Sequence, residues 1–297
     1  MEQLWAVAGA PLLATHGRGL EVDRLLDRVG SAHWTQEHRL YRVDAALTVL
    51  TSPLHWFRDI GHVFLVLEEA IDSNVLRFGA TSIPETAHGF DRTGFIEEVS
   101  ADQQYASFGF ITAGHDSHSG VADTGFTAMD LYACGQQCWY KRIGVPAADG
   151  QSRLQLDRLI GLIRGAFPAS GGIHQQVRLA GPHPTFLHAL LKAVNGPADR
   201  FHCTYVYNAK QFDLSVERHE DPRMAAALCA KGLAKRTDAI RRYEGFINDG
   251  AGQSTNRQWN FRFWREDGTA TRLPLRIEFQ PKPMLRLSLE LTPQRTV

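Results

Sequence analysis

Between positions 112 and 135 the sequence crowds side chains that do acid, base and nucleophilic chemistry: His115, Asp116, Ser117, His118, Asp123, Asp130 and Cys134. Ser117 sits between an acid and a histidine. Cys134 offers a thiol that acts as nucleophile or proton donor when a histidine lies nearby. Titratable groups at this density cost free energy to bury, so their presence together points to a site.

Two further chemistries use the same residues. His115 and His118 with Asp116 or Asp123 are metal-ligand types. On a strand, however, positions three apart face opposite ways, and no third ligand has a recognisable spacing. Cys134 and Cys138 have the spacing of half a zinc site, but Cys203 and Cys229 are far from them; no metal is expected. His183, His188, His202 and His219 read as surface or hydrogen-bonded core histidines. Trp56, Phe57, Trp259, Phe261 and Trp264 read first as core or sheet-face residues.

The cluster must be held by the elements around it. Residues 105–112 are aromatic and apolar and form a strand leading into it, preceded by a polar connection over 97–104. Residues 126–134 alternate, with Phe126, Ala128, Asp130, Tyr132 and Cys134 on one face and Thr127, Met129, Leu131 and Ala133 on the other. Upstream, Pro53 opens a predicted helix in which Trp56, Phe57, Ile60, Val63, Phe64, Leu67 and Ile71 recur at spacings of three and four, ended by Gly79. Downstream, Leu154, Leu156, Leu159, Ile160, Leu162, Ile163 and Phe167 give a second amphipathic helix. Further helices are predicted over 19–29, 184–194 and 222–234, and strands over 39–43, 46–50, 175–179, 201–207, 212–217 and 259–265. The last hundred residues end in two clean alternations, Leu273, Leu275, Ile277, Phe279 and Leu285, Leu287, Leu289, Leu291, with a hairpin turn at Glu266-Asp267-Gly268-Thr269. Asn195-Gly196-Pro197 breaks the chain, giving a lobe over 1–195 and a strand-rich C-terminal lobe over 196–297 packed on it.

At 297 residues and 43% hydrophobic content the chain has material for a large core. Lys plus Arg and Asp plus Glu are 32 each, and no basic block interleaves with aromatics, which excludes a nucleic-acid surface. No run approaches the roughly 20 apolar residues that span a bilayer, and the apolar N-terminus lacks the positive stretch of a signal peptide. Four scattered cysteines read as reduced thiols, so a cytoplasmic protein is expected. The partner is a small molecule, with no nucleic acid and no membrane; a homodimer is left open.

From Cys134 backwards the residues resemble the bacterial pyruvoyl-dependent S-adenosylmethionine decarboxylases. Gly125-Phe126-Thr127-Ala128-Met129-Asp130-Leu131-Tyr132-Ala133-Cys134-Gly135 is similar to the second half of that family's motif, E-S-H-x-x-x-H-T-W-P-E-x-G-Y-x-A-x-D-x-F-x-C-G. Gly79-Ala80-Thr81, followed by His88-Gly89-Phe90, resembles the family's G-A-T strand and H-x-F turn; the likeness spans about 40–180. It implies an α/β (α+β) sandwich of largely antiparallel sheet with outer helices. It also implies a self-derived pyruvoyl group made from a serine at a Glu-Ser bond. A gapless alignment puts Ala113-Gly114-His115 at that bond, and glycine cannot form the group; a three-residue deletion puts Asp116-Ser117-His118 there. With Ser117 processed, the resemblance implies a lyase that decarboxylates an amino-acid or S-adenosylmethionine-type substrate through a Schiff base. Cys134 would return the proton, with His118, His115, Asp116 and Ser107 assisting and His88, Phe90, Asp123 and Asp130 holding substrate. With Ser117 intact, the resemblance implies a non-cleaving homologue that lacks the pyruvoyl group and binds a nucleoside or amino-acid ligand, or a partner, without decarboxylating it. Cys134-Gly135-Gln136-Gln137-Cys138-Trp139 also resembles the cysteine at a helix start of papain-like hydrolases, with His62 or His88 as base.

Overall fold

The computed structural model describes residues 35–49, 52–83, 93–112, 125–146, 156–167, 172–248, 259–269, 271–282 and 284–292. Fourteen strands form one sheet: β1 (Thr35–Val49), β2 (Ser52–Glu69), β3 (Ser73–Ser82), β4 (Thr93–Ala101), β5 (Gln104–Thr112), β6 (Gly125–Cys134), β7 (Gln137–Pro146), β8 (Ile173–Arg178), β9 (Arg200–Tyr207), β10 (Lys210–Glu220), β11 (Ile240–Asn248), β12 (Phe261–Glu266), β13 (Arg276–Lys282) and β14 (Leu285–Leu291). Their order is β8-β7-β6-β5-β4-β3-β2-β1-β14-β13-β12-β11-β10-β9. Every neighbouring pair is antiparallel. Among the described residues three α-helices accompany it: α1 (Leu156–Ala166), α2 (Phe186–Asn195) and α3 (Pro222–Ala230). None is long and apolar enough to cross a membrane.

The largely antiparallel sheet expected from the sequence is present, and the protein is strand-rich with few helices. The helix predicted from Pro53 is instead the 18-residue strand β2. Val63, Leu65 and Leu67 pack on one face of it and Phe64 and Val66 on the other. A strand buried on both faces is a continuous apolar run, which satisfies a spacing of three and four as readily as one of two. Gly79 consequently lies inside β3. The two short strands predicted around Asp44 are one strand, β1, with a register irregularity between Val43 and Ala45. There Asp44 accepts a 2.8 Å hydrogen bond from the backbone N–H of Asp59, so a polar residue that reads as a break ties β1 to β2. The predicted polar connection over 97–104 is the second half of β4 and the turn to β5. The helix predicted over 19–29 lies outside the described residues.

The sheet curls back on itself. Val206 of β9 and Ala209 pack among Tyr105, Leu131, Ala133, Cys138 and Tyr140 of β5 to β7, although β9 ends the strand order. The stretch between β8 and α2 bridges the approaching parts. Leu179 N–H donates to Gln136 O at 2.8 Å, and Val206 N–H donates to Pro184 O at 2.9 Å. Thr185 makes a parallel bridge with Val206.

Helix α2 fills the inside of this curl. Its Leu187 and Leu191 pack on the Tyr41, Val63, Leu65 and Leu76 cluster, while Phe186, Leu190 and Val194 pack against Tyr205, Leu214, Phe261 and Phe263. These side chains are partly buried, so each contributes less than the roughly 1.5–3 kcal/mol of full burial, and the helix leaves Lys192 and Asn195 exposed. On the outer face α1 covers Val99, Phe108 and Ile143 through Leu156, Leu159, Ile160 and Ile163. α3 covers Ile240, Trp264 and Leu275. Both lie where the sequence placed helices. The sheet runs unbroken from β1 to β14, so segments 1–195 and 196–297 share it rather than each building its own.

Candidate functional site: the cavity beside helix α2

Successive residues Glu97 and Glu98 of β4 point to opposite faces, and both are buried. Glu97, outside, accepts from Arg77 Nε at 2.7 Å and from Arg164 of α1 at 3.2 Å, while Arg77 also pairs with Glu68 at 2.9 Å. Burial lowers the Arg164 pKa to about 10 against the raising influence of Glu97, so the guanidinium stays charged at neutrality. This network docks α1.

Glu98, inside, meets the first turn of α2. Its Oε2 accepts from the Thr185 hydroxyl at 2.5 Å and from the His188 backbone N–H at 3.2 Å, and lies 3.2 Å from His188 Nδ1. The helix's first N–H groups have no partner within the helix, and a carboxylate there gains from their hydrogen bonds and from the helix dipole. Thr185 is the N-cap residue but its side chain makes no cap hydrogen bond to the helix; Glu98 of the sheet takes that role. With Oε2 acting as acceptor, the proton of a neutral His188 belongs on Nδ1, leaving Nε2 as an acceptor. Nε2 of His188 and Oε1 of Glu98 are both buried without a hydrogen-bond partner among the described residues.

His188 lines a cavity of about 340 Å³ between α2 and the ends of β2 to β5. One turn further along the helix, Lys192 lines the same space, its ammonium donating to the Tyr105 hydroxyl at 2.8 Å. Tyr105 stands edge-on to His188, with ring centroids 5.6 Å apart. Asn74, Ser100 and Asn195 add polar groups and Leu191 an apolar wall. At the rim Arg272 pairs with Glu69, whose pKa is raised by burial against the lowering pull of that arginine. Lys192 has no carboxylate within ion-pair distance among the described residues.

The sequence-predicted site is distributed differently. Ser117, His115, Asp116, His118, Asp123, His88 and Phe90 lie outside the described residues. Of the others, Ser107 belongs to the inner face of the sheet, since it pairs with Leu131, whose side chain joins the inner cluster. Cys134 packs on the outer cluster, and Asp130 shares its strand face, opposite Phe108. Ser107 is therefore separated by the sheet from Asp130 and Cys134, and these three do not converge. Cys134 does not open a helix: Gly135, at φ 55°, and Gln136 form the two-residue loop of the β6–β7 hairpin. His62, the base suggested for a hydrolase, is in β2. Cys138 is buried in β7, and burial pushes its thiol up to about 12. No group of three metal-ligating side chains occurs among the described residues.

The residues that do converge, Glu98, Tyr105, Thr185, His188 and Lys192, were not singled out by their sequence pattern as a site. His188 read only as a surface or hydrogen-bonded core histidine, and the latter is what it is. The legible signal was the placement of His188 and Lys192 four apart on one helix face, with Thr185 a turn before.

Fold and site together define a barrel-like antiparallel protein with a polar cavity between helix α2 and the sheet. No family model and no curated protein matches the sequence. Among solved structures, the chain is similar to a beta-barrel-like protein of domain of unknown function DUF1849 from Brucella abortus, at TM-score 0.50 and 7% identity, over 88% of this chain and 98% of that one. At that identity the likeness is one of fold. It overturns the resemblance to pyruvoyl-dependent S-adenosylmethionine decarboxylases: the fold neighbour is barrel-like, and the motif's second half is an ordinary hairpin strand, β6, in one continuous sheet. The pyruvoyl group and the Schiff-base route rested on that resemblance alone.

Proposed function

We propose that this protein binds a small polar molecule in the cavity beside α2, without cleaving it. The observation that carries this reading is a buried, unpartnered polar atom on a residue that lines the cavity, His188 Nε2. A buried polar group left without a hydrogen bond costs about 1–3 kcal/mol, and it is retained where something else supplies the bond. Catalysis is not part of the proposal, because Thr185 and Glu98 both meet His188 at Nδ1. A nucleophile activated by histidine and an acid orienting it would occupy opposite ring nitrogens. The reducing, cytoplasmic setting remains part of the reading, supported by four free cysteines.

The test is a thermal-shift screen of the full chain with amino acids, hydroxy acids, nucleosides and sugars, repeated on Lys192→Met. A ligand that raises the melting temperature of the native protein and fails to do so in the variant is the expected result. No shift from any class, or shifts that the variant fully retains, would refute the reading.

A further inference from the structure

Building on that reading, we infer that the cavity selects a small carboxylate that carries a hydrogen-bond donor on its α-carbon, a 2-hydroxy or 2-amino acid. Two features of the walls, one turn of α2 apart, set the requirement. The ammonium of Lys192 spends one of its three donors on Tyr105 at 2.8 Å and has no carboxylate partner among the described residues. Lys192 is exposed at the cavity's mouth, where its ammonium attracts an anion and a carboxylate accepts charge-assisted hydrogen bonds from it. His188 Nε2 is the opposite kind of group. With Glu98 Oε2 3.2 Å from Nδ1, the neutral imidazole keeps its proton there, and in that form Nε2 presents a lone pair that asks for a donor.

Positions four apart on a helix are neighbours on one face, roughly 5–6 Å between Cβ atoms. Both side chains also flank the Tyr105 ring: the ammonium lies 5.3 Å from its centroid and the imidazole centroid 5.6 Å from it. A carboxylate at Lys192 and a hydroxyl or ammonium on the adjacent carbon at His188 bridge such a gap with one molecule. Because Tyr105 accepts from Lys192, its own O–H is free to donate to the same carboxylate. The Arg272–Glu69 pair at the rim is already neutralised and adds no net charge. The volume, about 340 Å³, lies at the lower end of small-molecule sites, which run roughly 300–1,000 Å³. It fits a ligand of amino-acid size better than a nucleotide.

Isothermal titration calorimetry with glycolate, glycine, acetate and ethylene glycol separates the two contacts. Glycolate or glycine is expected to bind about tenfold or more tightly than acetate, which lacks the donor, and than ethylene glycol, which lacks the charge. Glycolate against glycine tells the hydroxy acid from the amino acid. Lys192→Met should abolish the carboxylate preference, and Tyr105→Phe should weaken it; circular-dichroism melting establishes that each variant is folded. Acetate binding as tightly as both glycolate and glycine, or unchanged carboxylate binding in Lys192→Met, would overturn the selectivity. So would failure of all four probes. If sugars or nucleosides then shift the melting temperature in a Lys192-dependent way, the cavity still binds a small polar molecule and only its assigned class is wrong. If nothing in the screen does, both fall.

Discussion

Glu98 does three things with one oxygen: it caps α2, orders Thr185 and sets the proton of His188. Glu98→Gln can keep a carbonyl oxygen where the three donors converge, but it removes the negative charge from all three bonds and puts an amide NH2 at the partnerless position of Oε1. The loss should be about 1–3 kcal/mol by urea denaturation, and stability unchanged within experimental error would contradict this role. A long-range 1H–15N spectrum should also show the His188 tautomer released from Nδ1–H in Glu98→Ala, which removes the acceptor. The thiols give a second prediction at this scale. Burial pushes Cys138 up to about 12 and Cys203 to about 11, so little thiolate exists at either near neutrality. Half-exposed Cys134 should be alkylated by iodoacetamide before Cys138 in the native protein, read by peptide mapping; early labelling of Cys138 would count against the packing of β7 described above. Glu97 and Glu98 were illegible in the sequence because two adjacent acids read as solvated. Their arginine, threonine and histidine partners lie 20 to 90 positions away.

At the scale of elements, the helices were legible and the longest strand was not. α1, α2 and α3 each carry an amphipathic pattern or a clear start signal, such as Asp221 accepting from Met224 N–H at 3.0 Å just before Pro222. β2 carried a pattern compatible with either period, and only its pairing with β1 and β3 decides. That pairing leaves a mark at Gly79, directly opposite Phe64. A Cβ there would stand 2.1 Å from the Phe64 ring, and one at Gly245 would stand 1.9 Å from Phe261. In both places an aromatic ring lies over a cross-strand glycine. Gly79→Ala should therefore destabilise by about 1–3 kcal/mol as the ring is forced from its rotamer, measured by chemical denaturation. Unchanged stability would contradict the packing of Phe64 over Gly79. The arginine network beneath α1 predicts a larger effect: Glu97→Ala leaves Arg77 buried beside an empty site and should cost about 3–5 kcal/mol.

For the whole molecule, the pairing of β1 with β14 joins chain segments that lie far apart in sequence, and the sheet offers no seam at 195–197. The Asn195-Gly196-Pro197 break ends a helix instead of dividing two lobes, a distinction that local composition does not carry. The strand-rich antiparallel class was legible in the alternating C-terminal segments; the curl was not, because it depends on contacts such as Val206 with Tyr105. On the outer face of β13 and β14, burial alone would raise the pKa of Glu278, but the guanidinium groups of Arg262 and Arg276 outweigh it and hold it below the ordinary 4.5. Glu290 is likewise held low by Lys231 and Arg276 against its burial. Acids with depressed pKa values stabilise the folded state fully above pH 4.5 and lose that contribution as pH falls through their folded pKa values. Urea midpoints should thus hold from neutrality down to that point and fall below it; midpoints that rise there would contradict the pairing. The claim on which the account turns is that the α2 cavity holds a small polar ligand, and the most direct measurement is the 15N resonance of His188 Nε2 followed during titration with glycolate and glycine and then the wider screen. The account predicts a saturable shift with at least one of them that Lys192→Met removes; a resonance that stays still throughout, or moves equally in the variant, would contradict it.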